Sequence, residues 1–402
     1  MNKKLIALAI AGAFAAPVAM ADNSNVTIYG EFAASVDNVD GGSYKTGAVT
    51  VPGTAGISAA AAENRWRVSS NNSFLGFKGT EDLGNGLAAI WQYEQSIAID
   101  KQNINNNAGD TNPALTSNQS RRETFVGLSS AQMGALSLGI HESPFKTSTG
   151  PLDIFGQHTL ADYRSIWGAV SGANVASIRA ENSVRYTSPS LSGFTIKALV
   201  AMQNEGGNDL GASGATSTNV NNPRYYAVNG TYANGPLFAT LAYEDNKTVA
   251  STTSDLAYKN WRTGVGYSFA GFKVGLAFER IKGDGKATAT TNYRVKRDAW
   301  YVPVSYQMGN NTLKFAYTQA GKSNQNTGGV DTSGSDGAKQ WSLGLDHAMS
   351  KRTNVYALYS QVRNDTNGVY SLGGAGTGIA SVIPASYGEK PKAFSVGMVH
   401  KF

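Results

Sequence analysis

The 402 residues include 46 glycines and no cysteine, only 15% are charged, and the mean hydropathy is −0.26. Without cysteine there is no disulfide scaffold, thiolate nucleophile or Cys-ligated metal centre, and His141, His158, His347 and His400 lie too far apart for a helix-borne metal motif. The excess of 34 basic over 28 acidic residues, a formal +6, is too small and too dispersed to argue for nucleic acid.

From the start of the chain, Lys3 and Lys4, the apolar stretch Leu5 to Phe14 and the small-x-small site Ala19-Met20-Ala21 read as a signal peptide over residues 1–21. The mature chain, residues 22–402, is then expected to form one domain. Its apolar stretches are too short to cross a bilayer as helices. What repeats instead is a period of two. Along the chain, Phe194, Ile196, Ala198 and Val200 oppose Thr195 and Lys197; Leu237, Ala239, Leu241 and Tyr243 oppose Thr240 and Glu244; Phe272, Val274, Leu276 and Phe278 oppose Lys273 and Glu279. Leu313, Phe315 and Tyr317 oppose Lys314 and Thr318, Trp341, Leu343 and Leu345 oppose Ser342 and Asp346, and Phe394, Val396 and Met398 oppose Ser395 and Gly397. Such strands have one apolar and one polar face.

A soluble sandwich would also alternate, so the connections decide. Short links such as Ser188 to Gly193, Ala233 to Pro236 and Ala270-Gly271 exchange with long Gly-, Asn- and Ser-rich ones: Asp37 to Ala62, Ala98 to Ser120, Glu205 to Asn222, Gly321 to Gly337 and Asp365 to Pro391. Tight turns on one side and long polar loops on the other predict an all-β fold, a closed antiparallel transmembrane β-barrel of about 16 strands. Closure is compulsory in hydrocarbon, where an open sheet edge has no partner for its backbone groups. A barrel this wide holds water, so the polar face lines a channel. Tyr29, Trp91, Tyr93, Tyr186, Tyr243, Tyr267, Trp300 and Tyr306 are expected to form the interfacial girdles.

Several segments resemble the trimeric general porins of Gram-negative outer membranes, in particular the neisserial, beta-proteobacterial branch. They are NVTIYGEF (Asn25 to Phe32), GFKGTEDLGNGLAAIWQYE (Gly76 to Glu94), RETFVGL (Arg122 to Leu128), RAENSVRYTSPSLSGF (Arg179 to Phe194) and the closing VGMVHKF (Val396 to Phe402). The resemblance implies a homotrimer in contact with outer-membrane lipids and lipopolysaccharide, and a third loop, about His141 to Ser177, folded into the pore. By the same resemblance Asp153, in PLDIFG, is the acidic residue of the constriction, with Glu142 and Asp162 as weaker candidates. Arg122 and Arg179 match the family's basic wall, and alternation places Arg179, Glu181, Ser183 and Arg185 on one face; Lys78 points inward too. Phe74 stands where the family carries an arginine, and Arg65 and Arg67 could compensate. Phe402 matches the carboxy-terminal signal for membrane insertion.

Other motifs carry less. Gly283-Asp284-Gly285-Lys286 lacks the full phosphate-loop pattern, Glu81 and Asp82 are turn residues, and Asp331 and Asp336 could bind calcium or be solvated. No Ser or Asp is paired by motif with an oriented His, so a barrel hydrolase is disfavoured. The expected function is passive diffusion of small hydrophilic solutes and ions across the outer membrane, without cofactor. The alternatives are a solute-specific channel with an aromatic binding track and a plugged structural barrel.

Overall fold

The structure, a computed structural model, describes residues 25–42, 64–100, 121–170, 173–176, 178–202, 224–251, 254–286, 288, 290–331, 333–373, 381–382, 384 and 386–402. The signal-peptide reading of residues 1–21 lies outside them. Sixteen strands form one closed antiparallel barrel. They are β1 (Asn25–Asp40), β2 in two segments (Arg65–Ser70 and Phe74–Gly84), β3 (Leu87–Ser96), β4 (Arg121–Ser130), β5 (Gly134–Glu142) and β6 (Arg179–Thr187). There follow β7 (Phe194–Ala201), β8 (Arg224–Asn234), β9 (Leu237–Ser251), β10 (Ser254–Phe269) and β11 (Phe272–Lys286). The circuit ends with β12 (Asn292–Met308), β13 (Asn311–Ala320), β14 (Ala338–Ala348), β15 (Thr353–Asn364) and β16 (Lys392–Lys401). Each strand pairs with its successor, and β16 returns to β1 from Glu31↔Lys401 to Asp40↔Lys392. Among the described residues no helix is long and apolar enough to cross a membrane.

The period of two sets which face each side chain takes. On β11, Phe272 and Leu276 are exposed while Ala277, Glu279 and Ile281 are buried; on β16, Phe394, Val396 and Met398 are exposed while Ala393 and Ser395 are buried. The outward set, continued by Val126, Leu128, Leu136, Leu138, Ile196, Leu241, Val265, Leu313, Phe315, Leu343 and Leu345, is an apolar belt. Exposed apolar area of that extent is stable only against lipid. Trp91, Tyr93, Tyr186, Tyr267 and Trp300 lie on this outer face as expected. Tyr29 does not: its hydroxyl donates to Glu94 Oε1 at 2.8 Å in the lumen, because it shares its face with buried Glu31 and Ala33.

The short links are tight because their residues accept positive φ. Asn85 and Gly86 (54° and 73°) join β2 to β3, and Ala270 and Gly271 (47° and 84°) join β10 to β11, the two-residue geometry whose twist matches a hairpin. The closure is sealed by the last residue. Gly30 and Phe402 exchange backbone hydrogen bonds of 3.2 Å each. A Cβ on Gly30 would meet Phe402 Cζ at 2.6 Å, so the glycine is the seat for that ring.

The buried apolar residues lie inside the barrel, where the described residues between β5 and β6 fold inward. Leu152, Ile154, Phe155, Tyr163 and Trp167 pack on Ala277, Ala299, Tyr301, Ala316 and Leu358 of the inner wall. Leu160 and Ile166 join Val39 and Val362 with Tyr370, Leu372 and Val382, which come from the last long loop. Each large side chain buried this way contributes about 1.5–3 kcal/mol.

Candidate functional site: the lumen and its inward loop

The inward loop starts from local signals. Ser143 caps the short helix α1 (Pro144–Thr147), accepting from Lys146 N at 3.0 Å, with Pro144 in the first turn where its missing N–H costs nothing. Asp153 follows a 3-10 turn and accepts from Phe155 N (3.2 Å) and Gly156 N (2.9 Å). Asp162 caps the next turn through Arg164 N at 3.0 Å and forms an ion pair with the Arg164 side chain. Residues 143–178 therefore hold two cations, Lys146 and Arg164, and two carboxylates, Asp153 and Asp162, and sum to no net charge. Burial, and then Asp162, pushes the Asp153 carboxyl above the usual range. Burial works against the Arg164 charge, but Asp162 outweighs it and holds the guanidinium above its ordinary value.

A cluster that the sequence pattern did not single out ties this loop to the wall. Glu279 of β11 receives Arg262 of β10 at 2.5 Å and Arg297 of β12 at 2.6 Å, and all three side chains are fully buried. Both arginines also donate to loop carbonyls, Arg262 to Phe145 O and Arg297 to Ile166 O, each at 2.9 Å, and Glu279 accepts from Gly168 N at 2.8 Å. The Arg262 guanidinium lies over the Phe145 ring at 4.2 Å. Buried charges need this density of partners. Nearby, Leu152 lies in a notch of glycines: a Cβ on Gly264 or Gly266 would come within 2.7 Å or 2.6 Å of its methyls. His158 reaches the other side, with Nδ1 3.2 Å from Glu31 Oε1 on β1. The alternation had marked Glu279 only as a polar-face residue. Period-two reading cannot separate a polar side chain facing water from one under a loop.

The basic candidates occupy the wall of β2 to β6. Arg122 Nε is 3.2 Å from Glu94 Oε2, its Nη1 is 2.6 Å from Asn72 Oδ1, and its guanidinium lies 4.5 Å above the Phe74 ring. Phe74 is thus the platform on which Arg122 rests. A register shift between Tyr93 and Gln95 sets both Arg122 and Glu123 against Glu94, so a bulge delivers the arginine. Arg185 pairs with Glu123 at 2.5 Å over the Phe125 ring (5.3 Å), and Lys78 stands over Tyr29 at 4.9 Å. Arg179 and Lys146 share Glu142, at 2.9 Å and 2.8 Å, at the root of the loop. Arg67 pairs with buried Asp37 at 3.3 Å.

The simple alternation from Arg179 to Arg185 does not hold. Asn182 takes a left-handed φ of 48° and the register shifts between Gly139 and His141, which brings Ala180 to the face of Ser183 and Arg185. The structure joins Glu142 to Arg179. Among the described residues, no ion pair joins Asp153 or Asp162 to Arg122, Arg179, Arg185 or Lys78. The Asp153 carboxyl instead acts on Lys273 and Tyr301 of the wall on which the loop is packed. His141 is buried between Ser137 and Ser183, 2.8 Å from each hydroxyl, and stacks on Phe125 with centroids 5.2 Å apart. No cluster of three or more metal-ligating side chains occurs among the described residues. Asp336 accepts from Ser323 N and Oγ, each at 2.6 Å, while Asp331 caps Ser333 N at 2.8 Å, so the candidate calcium carboxylates serve separate turns.

A family model described as Gram-negative porin matches residues 7–367. The chain is 29% identical over 359 residues to major outer membrane protein P.IB of Neisseria meningitidis serogroup B, covering 88% of this chain and 91% of that protein. Its fold is similar to that of the anion-selective porin from Comamonas acidovorans, with a TM-score of 0.70 and 24% identity over 94% of this chain and all of that one. It is also similar to a trimer form of OmpT of Vibrio cholerae, with a TM-score of 0.61 and 14% identity over 95% of this chain and all of that one.

Proposed function

This chain belongs to the Gram-negative porin family, and on that premise we propose how its lumen selects solutes. It is a diffusion channel of the outer membrane, and its relatives are channels rather than enzymes. The proposed path for small hydrophilic solutes and ions runs between the inward loop, pressed on β10 to β14, and the basic wall of β2 to β6. What supports it most directly is the asymmetry of contacts: the buried Arg262–Glu279–Arg297 cluster holds the loop to one wall, and among the described residues neither loop carboxylate, Asp153 or Asp162, pairs with the cations of the other.

In this reading Arg122, Arg179, Arg185 and Lys78 supply positive potential, tempered by Glu94, Glu123 and Glu142, and Asp153 supplies negative potential from the loop. The lumen is walled by low-dielectric protein and lipid, which makes such charges more effective than in bulk water. Solutes cross without a chemical step, sorted by size and by the dipoles they align. The working unit is proposed to be a homotrimer embedded among outer-membrane lipids and lipopolysaccharide.

The test is the zero-current potential across a planar bilayer in a salt gradient. Replacing Arg122 and Arg179 together by Glu is expected to move permeability toward cations, and the shift is expected to shrink toward 1 M salt, where the screening length falls to about 3 Å. An unchanged potential from channels that still insert and conduct would remove these arginines from the narrow point. A second reading, an aromatic binding track, draws on Tyr29, Phe74 and Phe125, each roofed by a cation. It predicts saturable block of conductance by a planar carboxylate such as benzoate, abolished by Phe74→Ala.

A further inference from the structure

The wall on which the inward loop is packed carries glycines where its neighbours carry side chains. Gly264 and Gly266 of β10 and Gly275 of β11 face the lumen, Gly266 directly opposite Gly275 and Gly264 directly opposite Ala277. Gly344 of β14 lies farther round the same wall, opposite Lys314. None of the four takes a positive φ, and the strand pairing runs through them without a shift of register. They are therefore neither turns nor bulges. Glycine inside a strand gives up conformational entropy and has nothing to pack, and the remaining reason to place it there is close approach by another part of the molecule.

The loop makes that approach. A Cβ on Gly264 would lie 2.7 Å from Leu152 Cδ1, one on Gly266 2.6 Å and one on Gly275 3.1 Å from Leu152 Cδ2, and one on Gly344 2.7 Å from Phe155 Cε1. Carbons in contact stand about 3.5–4.0 Å apart, so ordinary side chains here would hold the loop off by about 1 Å. Leu152 and Phe155 rest instead on the main chain of the wall, and both are buried. Other strand glycines are covered by the barrel itself: Tyr29 lies over Gly76, Tyr258 over Gly283 and Tyr356 over Gly397. The main-chain bonds from Arg262 and Arg297 fix where the loop is tied; the glycines fix how deep its residues 152–155 sit. Depth gained in this wall is width left to the passage on the other side.

We propose that Gly264, Gly266, Gly275 and Gly344 set the bore of the channel, and with it the size limit for hydrophilic solutes, by letting Leu152 and Phe155 sink into the wall. The proposal rests on the reading of a passage between the loop and the basic wall, and names the residues that determine its width.

The test uses the purified full-length protein in planar bilayers at about 1 M salt, where charges are screened within about 3 Å and conductance reports the open section. The Gly264→Ala, Gly266→Ala double variant should push the loop about 1 Å into the passage and lower single-channel conductance by roughly a quarter. In liposome swelling it should lower the entry of N-acetylglucosamine relative to arabinose about twofold, because the larger solute feels the narrowing more. Adding Leu152→Ala removes the colliding methyls and should return both readings to wild type. Leu152→Phe, which leaves every strand residue unchanged, should narrow the channel in the same direction even if the double variant fails to assemble. Wild-type conductance in the assembled variants, a loss that Leu152→Ala does not relieve, or a rise in conductance from a loop that detaches instead of advancing would each overturn the proposal. A wild type that admits neither ions nor sugars would fail the channel reading and the proposal with it, an outcome told apart from the others by the wild type alone.

Discussion

Asp153 holds its own turn through two backbone N–H groups and carries one of the loop's two negative charges. The two roles separate by substitution. Asp153→Asn keeps an acceptor for the turn and removes the charge, so permeability should move toward anions, by less than the double arginine reversal moves it the other way; Asp153→Ala should also weaken the turn by about 1 kcal/mol. The raised carboxyl gives a pH test with a defined sign. A carboxyl raised in the folded protein favours folding most when protonated: that contribution is full below the unfolded value near 3.9 and is lost as pH rises through the higher folded one. On acidification wild type should therefore drift toward anions before ordinary carboxylates titrate, and that early drift should be missing from Asp153→Asn; identical titrations of the zero-current potential would refute it. The resemblance assigns Asp153 a constriction charge, and what the geometry shows is a cap on its own turn. Ala180 was not legible, because its face depends on the left-handed Asn182 and a register shift that the alternation itself does not encode.

The element of most consequence is the loop held by Arg262, Glu279 and Arg297. Removing one member of a buried charged cluster leaves the others uncompensated and costs about 3–5 kcal/mol. Glu279→Gln should therefore unseat the loop while the barrel keeps its strands: single-channel records should become noisy, protease should cut within residues 143–178, and the far-ultraviolet circular dichroism should stay strand-rich. Quiet channels and a protected loop would show that the apolar packing of Leu152, Phe155 and Trp167 is sufficient. The strands themselves were readable, since lipid outside and water inside impose period two on both faces. The loop was not, since its contacts with the wall join residues more than a hundred positions apart and follow no period.

At the scale of the whole molecule, closure depends on one small residue and one large one. Deleting Phe402 should lower the yield of folded outer-membrane protein in cells, because the ring covers Gly30 and its backbone completes the β1–β16 seam. Gly30→Val tests the same seam from the other strand: its Cβ would press on both Phe402 Cζ and Phe74 O at 2.6 Å. Overpacking of this kind costs about 1–3 kcal/mol, read as a lower unfolding temperature in detergent. An unchanged temperature would place the strain elsewhere. The tight-turn and long-loop rhythm made the sixteen-strand circuit legible, but the pairing of the first strand with the last follows only from the need to leave no edge in lipid.

Beside the apolar packing and the side-chain contacts of His158, Ser165 and Trp167, the inward loop is gripped by its main chain: Phe145 O, Leu152 O and Ile166 O accept from Arg262, Tyr301 and Arg297, and Gly168 N donates to Glu279. A carbonyl is the same acceptor whatever side chain it carries. Only Gly168, at a φ of 75°, is conformationally fixed among the four. Many loop positions can thus drift in sequence while the anchor persists, so descendants of this gene could trade one solute preference for another without re-engineering the barrel.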